Sequence, residues 1–581
     1  MAGRMQRLAE IARRNRVELV EARLTRRDLA KLGLLTAAGY LTTKLGLSTR
    51  ASGVTRGAAE SPATTPWVEE LPVPPVAIPC ELDALGVRPK QRHQAIDGEA
   101  AREEHQHWEL FDASAADLHV LENRVTGVRW HRELPPDECW CWNGMFPGPR
   151  IHARVGRPTL VRYRNQLPTL DLHRGYGRPT TATHVHGGHT AAESDGDPLV
   201  RVEPGQWMDQ LHLNRHAGFS ESSSGANGDP RDGLHTASYH DQSLGFGAQN
   251  SYRGNVGTYH VFDEFDTGDE ADPDPNAWRL PSGDFDVPLV LHDRVFDAHG
   301  RGYFDLFDLD GIVGDKVTVN GRIQPFFRVA RRKYRFRLHN LGPSRSYTLH
   351  LSNDLDMVQV ARDGAMLPAP YVSKDVSLAV GQSADVIVDF GRPPMGIELY
   401  LLDVEARDPM GHPNRPVTLV QGARLVRFDM DATLETRGDA SRVPERFFPS
   451  TPAEAVVPAT TRTFVIERED GGWTMNGRPF DPDFMAATPT LGSTEVWNLV
   501  NRSGRWLGAL ELPMEDFVVL SRDGRAPAAR PRARGSVLRL APGETVSVLR
   551  RFRDFLGRYS VRSRYGAEGD QGLMFMWKVV S

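Results

Sequence analysis

The sequence predicts an all-β chain built from three similar Greek-key sandwiches or barrels. Three observations carry that prediction. First, strand-like stretches ending in asparagine occur three times: TLVRYRNQLP at Asn165, KYRFRLHNLGP at Asn340 and TEVWNLVNRSG at Asn501, spaced 175 and 161 residues apart. Second, a glycine landmark follows each of them: EPGQWMDQLHL at Gly205, AVGQSADVIVDF at Gly381 and APGETVSVLRRF at Gly543, spaced 176 and 162 residues apart. Two landmarks that stay 40, 41 and 42 residues apart in the three copies mark an internal repeat. Third, short β-branched runs such as VTVNG, YTLHLS and ADVIVDF alternate apolar and polar residues and break at Gly, Pro and Asn. That is the rhythm of half-buried strands, and little long amphipathic helix is expected after residue 65.

At roughly 150 residues per unit the repeats divide the chain into three domains. The expected boundaries are 66–275, 276–445 and 446–581, preceded by a leader and linker over 1–65. The leader has its own chemistry. Thr25-Arg26-Arg27-Asp28-Leu29-Ala30-Lys31 precedes the mildly apolar stretch LGLLTAAGYL and then Lys44. Paired arginines before a weak apolar run resemble a twin-arginine export signal, which carries proteins across a membrane already folded. The expected destination is periplasm, cell envelope or medium, with cleavage somewhere between residues 48 and 65.

Composition excludes several classes. The chain of 581 residues has a net charge of −5, is 40% hydrophobic and 25% charged. An ordinary globular protein is expected, with no electrostatic reason to bind nucleic acid. No run of 18 apolar residues occurs, so no ordinary transmembrane helix is expected. Three cysteines, Cys80, Cys139 and Cys141, are too few for a disulfide scaffold, and Cys139 and Cys141 read as small buried residues. No P-loop or nucleophile elbow is present, and HGGHT opens no predicted helix. His105 and His107 in EEHQHWEL read as part of a solvated helix. The insert around 218–235, FSESSSGANGDPRDGLH, reads as a polar surface loop. Met574 and Met576 read as packing residues of the last strand.

Histidine spacing is the strongest chemical signal. THVHGGHT sets His184 and His186 two apart, so on a strand both imidazoles face one side. SYHDQS offers His240 and Gln242 at the same spacing. Imidazole pairs within a β domain favour copper or zinc over hard cations.

From about residue 110 onward the chain resembles the three-domain multicopper oxidases of the spore-coat laccase and bilirubin oxidase branch. The resemblance is carried by HRELPPDECWCWNGMFPGPRIHARVGRPTLVRYRNQLP, THVHGGHTAAESDGDP, LPSGDFDVPLVLHDRVFDAHGRGYF and VTVNGRIQPFFRVARRKYRFRLHNLG. It implies three cupredoxin-like domains. It also implies a blue copper in the third domain, held by two His, a Cys and often a Met, and a three-copper cluster held by eight His between the first and third domains.

Set against the family's motifs, most of these ligands are missing. The first third-domain motif, His-Pro-x-His-x-His, falls on Gly508, Glu511 and Pro513. The last, His-Cys-His followed by His and Met, falls on Arg562, Ser563, Arg564, Glu568 and Leu573. In the first domain His184, His186 and His240 remain, and Gln242 stands where a fourth His is expected. No cysteine follows residue 141, so the blue site lacks its thiolate. A guanidinium about 4 Å from a Cu²⁺ would repel it by roughly 8 kcal/mol at an effective dielectric near 20. Arg562 and Arg564 are therefore expected inside the vacated pocket, with Glu511 and Asp241 as carboxylate partners joining the first and third domains.

Three functions fit these residues. The first is a copper-poor scaffold, assembly or binding protein of the cell envelope. The second is a divergent oxidoreductase using one copper or other transition-metal ion at His184, His186 and His240, completed by Gln242 or Glu511. The third is a non-catalytic subunit of an intact multicopper oxidase. The full four-copper complement is not expected under any of them.

Overall fold

The computed structural model describes residues 61–581 except 94–97, 222–224, 305–310, 395, 405–422, 435–437, 449–457, 470–471, 505–507 and 528–533. The proposed export signal lies outside the described residues. Six sheets form, two for each third of the chain. The first two are four-stranded and lie between Asp117 and Phe262. An eight-stranded and a five-stranded sheet follow between Asp286 and Met430, then a six-stranded and a five-stranded sheet between Thr460 and Val579. The described helices are short; the longest, α1, spans Gly247–Arg253, and a second, α2, spans Gly566–Asp570.

The two sequence landmarks meet in space in every copy. The strand ending at Asn165 runs parallel to Asp117–Val128 and antiparallel to Trp207–His212. The strands ending near Asn340 and Asn501 have the same neighbours, one parallel and one antiparallel. At each end the glycine N–H donates to the asparagine carbonyl: Gly205 to Asn165, Gly381 to Asn340 and Gly543 to Asn501, at 2.8, 2.9 and 2.9 Å. These glycines have φ of +85°, +81° and +77°, the left-handed region that a side chain resists. The asparagine side chains finish the turns. Asn165 donates to the carbonyls of Pro179 and Val202, Asn340 to those of Arg345 and Leu378, and Asn501 to that of Leu540. Three-fold recurrence of one buried polar clasp explains why these two residue types survive at a nearly fixed offset.

The largest apolar core joins the two ends of the chain. Leu118, Leu160, Leu211 and Phe219 pack in one cluster with Phe464, Trp497, Leu512, Phe575 and Trp577. A separate cluster fills the middle third, and a smaller one including Trp130, Phe146, Val290 and Phe296 joins it to the first. The first and third units thus face each other across a continuous interior. Cys139 and Cys141 are buried in strand Asp137–Trp142, and Met574 and Met576 in the last strand.

Two local expectations are corrected. His105 does not lie on a solvated helix. Its ring is buried and stacked on Trp108 at 5.7 Å, and only one 3₁₀ turn, Trp108–Leu110, forms there. His107 reaches the third unit, with Nε2 2.8 Å from the Asp554 carbonyl. The insert near 218–235 is not a free surface loop either. Phe219 enters the joint core, and Asp232 is buried against Arg534, Arg551 and Arg553. A polar composition misleads here because the loop's carboxylate meets three guanidiniums from the far end of the sequence.

Replacing Asn340 by Ala removes two donated bonds and leaves the Leu378 and Gly342 groups without their partner. A loss of about 2–3 kcal/mol is expected, read as a lower urea midpoint than that of wild type.

Candidate functional site

Four strands bring the site together. Strands β1 (Thr183–His186) and β2 (Thr236–Asp241) pair antiparallel, with His184 opposite His240. Alternation puts His186 on the same face. The three rings form a triangle with centroids 5.4–5.9 Å apart. Strands β3 (Gly508–Glu511) and β4 (Gly557–Ser563) belong to the third unit and pair with Glu511 opposite Arg562. The joint core presses this pair of strands against the first, so Glu511 points into the imidazole triangle.

The carboxylate lies where the imidazoles converge. Glu511 Oε1 is 2.6 Å from His184 Nε2 and 2.7 Å from His186 Nδ1. All four side chains are buried, and their ligand atoms lie within 4.8 Å of one another. His184 Nδ1 donates to the Asp195 carbonyl at 2.8 Å. With a carbonyl at one nitrogen and a carboxylate at the other, both nitrogens must carry protons, and the ring is an imidazolium. Burial pushes its pKa down, but the Glu511 and Asp195 carboxylates overcome this and raise it to about 10. Burial would raise the Glu511 pKa, yet His184, His186 and Arg564 hold it well below the usual carboxylate range. His240 is the opposite case. Its Nδ1 donates to the Asp241 carbonyl at 2.9 Å, while burial and then Arg564 keep the ring neutral. His240 Nε2 and His186 Nε2 make no hydrogen bond among the described residues.

Comparison with known proteins bears on the chain as a whole. No family model matches the chain. A laccase of Bacillus stratosphericus is 27% identical over 542 residues, spanning 85% of this chain and 95% of the laccase. A bilirubin oxidase of Albifimbria verrucaria is 28% identical over 434 residues, spanning 72% of this chain and 68% of the oxidase. Among solved structures, a laccase from Pediococcus acidilactici superposes with a TM-score of 0.69 at 18% identity, covering 90% of this chain and 95% of that one. A multicopper oxidase of Aquifex aeolicus superposes at 0.65 with 20% identity, covering 80% and 96%. Over most of its length the chain is similar to multicopper oxidases, and its cupredoxin-like fold is theirs.

Within this family fold the remaining positions singled out from the sequence go several ways. Arg564 approaches the free Glu511 oxygen, Nη1 to Oε2, at 3.4 Å. Burial lowers its pKa to about 10. Arg562 is buried as expected, but its partners are not the expected ones. Its Nη1 donates to the Gln242 carbonyl at 2.8 Å, and Nη2 lies 3.8 Å from Asp570 on α2. Asp241 pairs with no arginine among the described residues. Its oxygens accept instead from the backbone of Ala182 and Ser243 and from the Asn250 side chain. Those donors belong to the turns and to α1 flanking its own strand, so they meet it before any residue of the third unit can. A cavity of about 30 Å³, room for about one water, lies between His240, Gly247, Arg562 and Arg564. The Gln242 amide turns away from the triangle to the carbonyls of Asp195 and Gly196.

The other positions do not join the cluster. Ser563 points from the opposite face of its strand and donates to Glu568 at 2.7 Å. Leu573 packs in the joint core. Gly508 pairs with Leu540, and the Pro513 carbonyl accepts from Arg550. Asp195 was missed by sequence reasoning. It lies in the turn after HVHGGHT, and its carbonyl and carboxylate both face His184, the latter at 3.2 Å. Its only sequence signal was the acidic run ESDGD.

Replacing Glu511 by Gln removes the nearer of the two carboxylates that face the buried His184 charge, and a loss of about 3 kcal/mol is expected. The pH dependence follows from the two shifts. The lowered Glu511 pKa contributes stability above its unfolded value near 4.3 that is lost in acid. The raised His184 pKa contributes fully below its unfolded value near 6.5 and is lost as pH rises through about 10. The stability gap between wild type and Glu511→Gln, read from thermal midpoints, is therefore greatest between about pH 4.5 and 6.5 and closes toward pH 10.

Proposed function

We propose that this protein is an exported member of the multicopper oxidase family that has given up four-copper chemistry and serves as a copper-poor scaffold, assembly or binding protein of the cell envelope. One observation carries the reading. A carboxylate, backed by the Arg564 guanidinium, fills the point on which the three imidazoles converge, and His184 is engaged at both nitrogens. The residues do not fit the family's four coppers. A blue site needs a thiolate beside the third unit's strands, and no cysteine follows Cys141. The three imidazoles are too few for a three-copper cluster. On this reading Gly508, Glu511, Pro513, Arg562, Ser563, Arg564, Glu568, Leu573 and Gln242 are positions where ligands were lost, and the units near 66–275, 276–445 and 446–581 are the domains. The paired arginines at Arg26 and Arg27 supply the export route. No helix among the described residues is long and apolar enough to cross a membrane.

A second reading is supported by the Nε2 atoms of His186 and His240, which have no hydrogen-bond partner among the described residues. Together with His184 and Glu511 they would suit one copper or other transition-metal ion, provided His184 releases a proton. That would make the protein a divergent single-metal oxidoreductase.

The test is copper content by mass spectrometry on full-length protein made with ample copper and dialysed against a weak chelator, with a scan for the blue thiolate band. The expected result is far less than one copper per chain and no blue band. About one copper, lost in a His184→Ala/His186→Ala variant, would favour the second reading. Four coppers with a blue band would overturn both.

A further inference from the structure

A second cluster of ligating groups lies at the base of the 218–235 insert, away from the imidazole triangle. His216 stands just before the insert and His235 at its end. Asp263 follows strand Val256–Phe262. All three are buried, at 3%, 1% and 6% exposure. The Asp263 carboxylate is held in a fixed orientation, because Oδ1 accepts from the backbone N–H groups of Phe265 and Asp266 at 2.8 and 2.7 Å. Its other oxygen faces the two rings. Oδ2 is 3.6 Å from His235 Nε2 and 3.9 Å from His216 Nε2, too far for a hydrogen bond. Among the described residues none of these three atoms has a hydrogen-bond partner.

Buried polar atoms without partners are costly, and here two imidazole nitrogens face one carboxylate oxygen that neither reaches, so an ion between them would serve all three. With metal–ligand bonds near 2.0–2.2 Å, ligand atoms of a tetrahedral zinc site lie about 3.4 Å apart. The observed 3.6 and 3.9 Å are close to that spacing. Glu264 is exposed, and its carboxylate lies within 4.8 Å of the His216 and Asp263 ligand atoms, on the solvent side. Two neutral imidazoles and two carboxylates balance a divalent charge. The surroundings keep the rings in place. A side chain at Gly233 would meet His216 Nδ1 at 2.8 Å, so a residue without Cβ is needed there. The His235 N–H donates to the Gly364 carbonyl and its carbonyl accepts from Val261, at 2.8 and 2.9 Å. The nearby Arg335 guanidinium is neutralised by Asp266 and Asp385.

We propose that His216, His235 and Asp263, with Glu264 from the solvent side, form a binding site for a zinc-like divalent cation. The ion staples the two ends of the insert to the strand that follows. Between those ends the insert grips the third unit. Gly218 and Ser220 donate to Asp554, Phe219 fills the joint core and Asp232 holds three arginines. Closing the loop at its base therefore tightens the contact between first and third units, and binding free energy becomes folding free energy.

The test uses full-length protein stripped with chelator, then loaded with Zn²⁺ and dialysed. Wild type is expected to keep about one zinc per chain, and the His184→Ala/His186→Ala variant to keep the same amount. Asp263→Asn and His235→Gln are expected to lose it. Zinc should raise the thermal midpoint of wild type and leave that of Asp263→Asn unmoved. Cobalt loading of the His184→Ala/His186→Ala variant gives a readout with the site itself unaltered, so it stands even if an Asp263 or His235 variant fails to fold. Intense visible absorption of a four-coordinate nitrogen and oxygen site is expected there. Unchanged zinc in Asp263→Asn and His235→Gln, or no bound zinc in wild type, would overturn the proposal.

Discussion

The apolar core shared by the first and last thirds of the chain is the constraint on which the rest depends. Leu118 and Leu160 are more than 300 residues from Phe464 and Trp577, yet all four lie in one cluster. Burial of that surface brings β3 and β4 onto the face of β1 and β2. Only then can Glu511 enter the imidazole triangle. The polar contacts along the seam follow from the same packing. His184 with Glu511, His189 with Asp554 and Asp232 with its arginines each join a residue before 235 to one after 510. Opposite charges enclosed at a seam are worth little when exposed, but losing one partner of a buried pair is expensive. The seam is therefore specific as well as adhesive.

Charge has taken a structural part at a place where the family's fold is associated with metal. The imidazolium at His184 needs Glu511, and Glu511 is kept ionised by His184, His186 and Arg564. That mutual dependence makes the four residues a unit. A neutral ring at His240 fits the same scheme, since a second full positive charge beside Arg564 would have no carboxylate left to face. The Asp263 cluster differs in kind. There the carboxylate is turned by its own backbone, and the rings approach without touching it. In one site the rings close on the carboxylate and in the other they do not, although both are built from His and carboxylate.

The fold was legible in the sequence because its repeats carry backbone requirements. Asn165, Asn340 and Asn501 recur because each completes the same turn, and Gly205, Gly381 and Gly543 recur because each takes a positive φ opposite it. Such needs are local and leave a direct trace in residue type. The imidazole face was legible for the same reason, since two-residue spacing on a strand fixes which side a ring takes. Glu511 and Arg564 were placed in the pocket through family resemblance. The partners of Arg562 and Asp241 were not foreseen. Which carbonyl or carboxylate a guanidinium finds depends on α1 and α2, two short helices that meet across the seam, with Asp570 accepting from the Ala248 N–H. Nothing in the local pattern announces that encounter. The insert was misread for a related reason: its polar residues pair with arginines three hundred positions away.

The shared core also bears on the order in which the chain can become finished. Strand Met574–Val579 lies at the extreme end, and Phe575 and Trp577 on it pack in the same cluster as Leu118 and Leu160. Contacts of such long sequence separation are closed late and slowly, and until they close the first unit keeps part of its apolar face bare, which invites association. A change that loosens the strands of the third unit therefore also uncovers the first, so the two units gain or lose their order together.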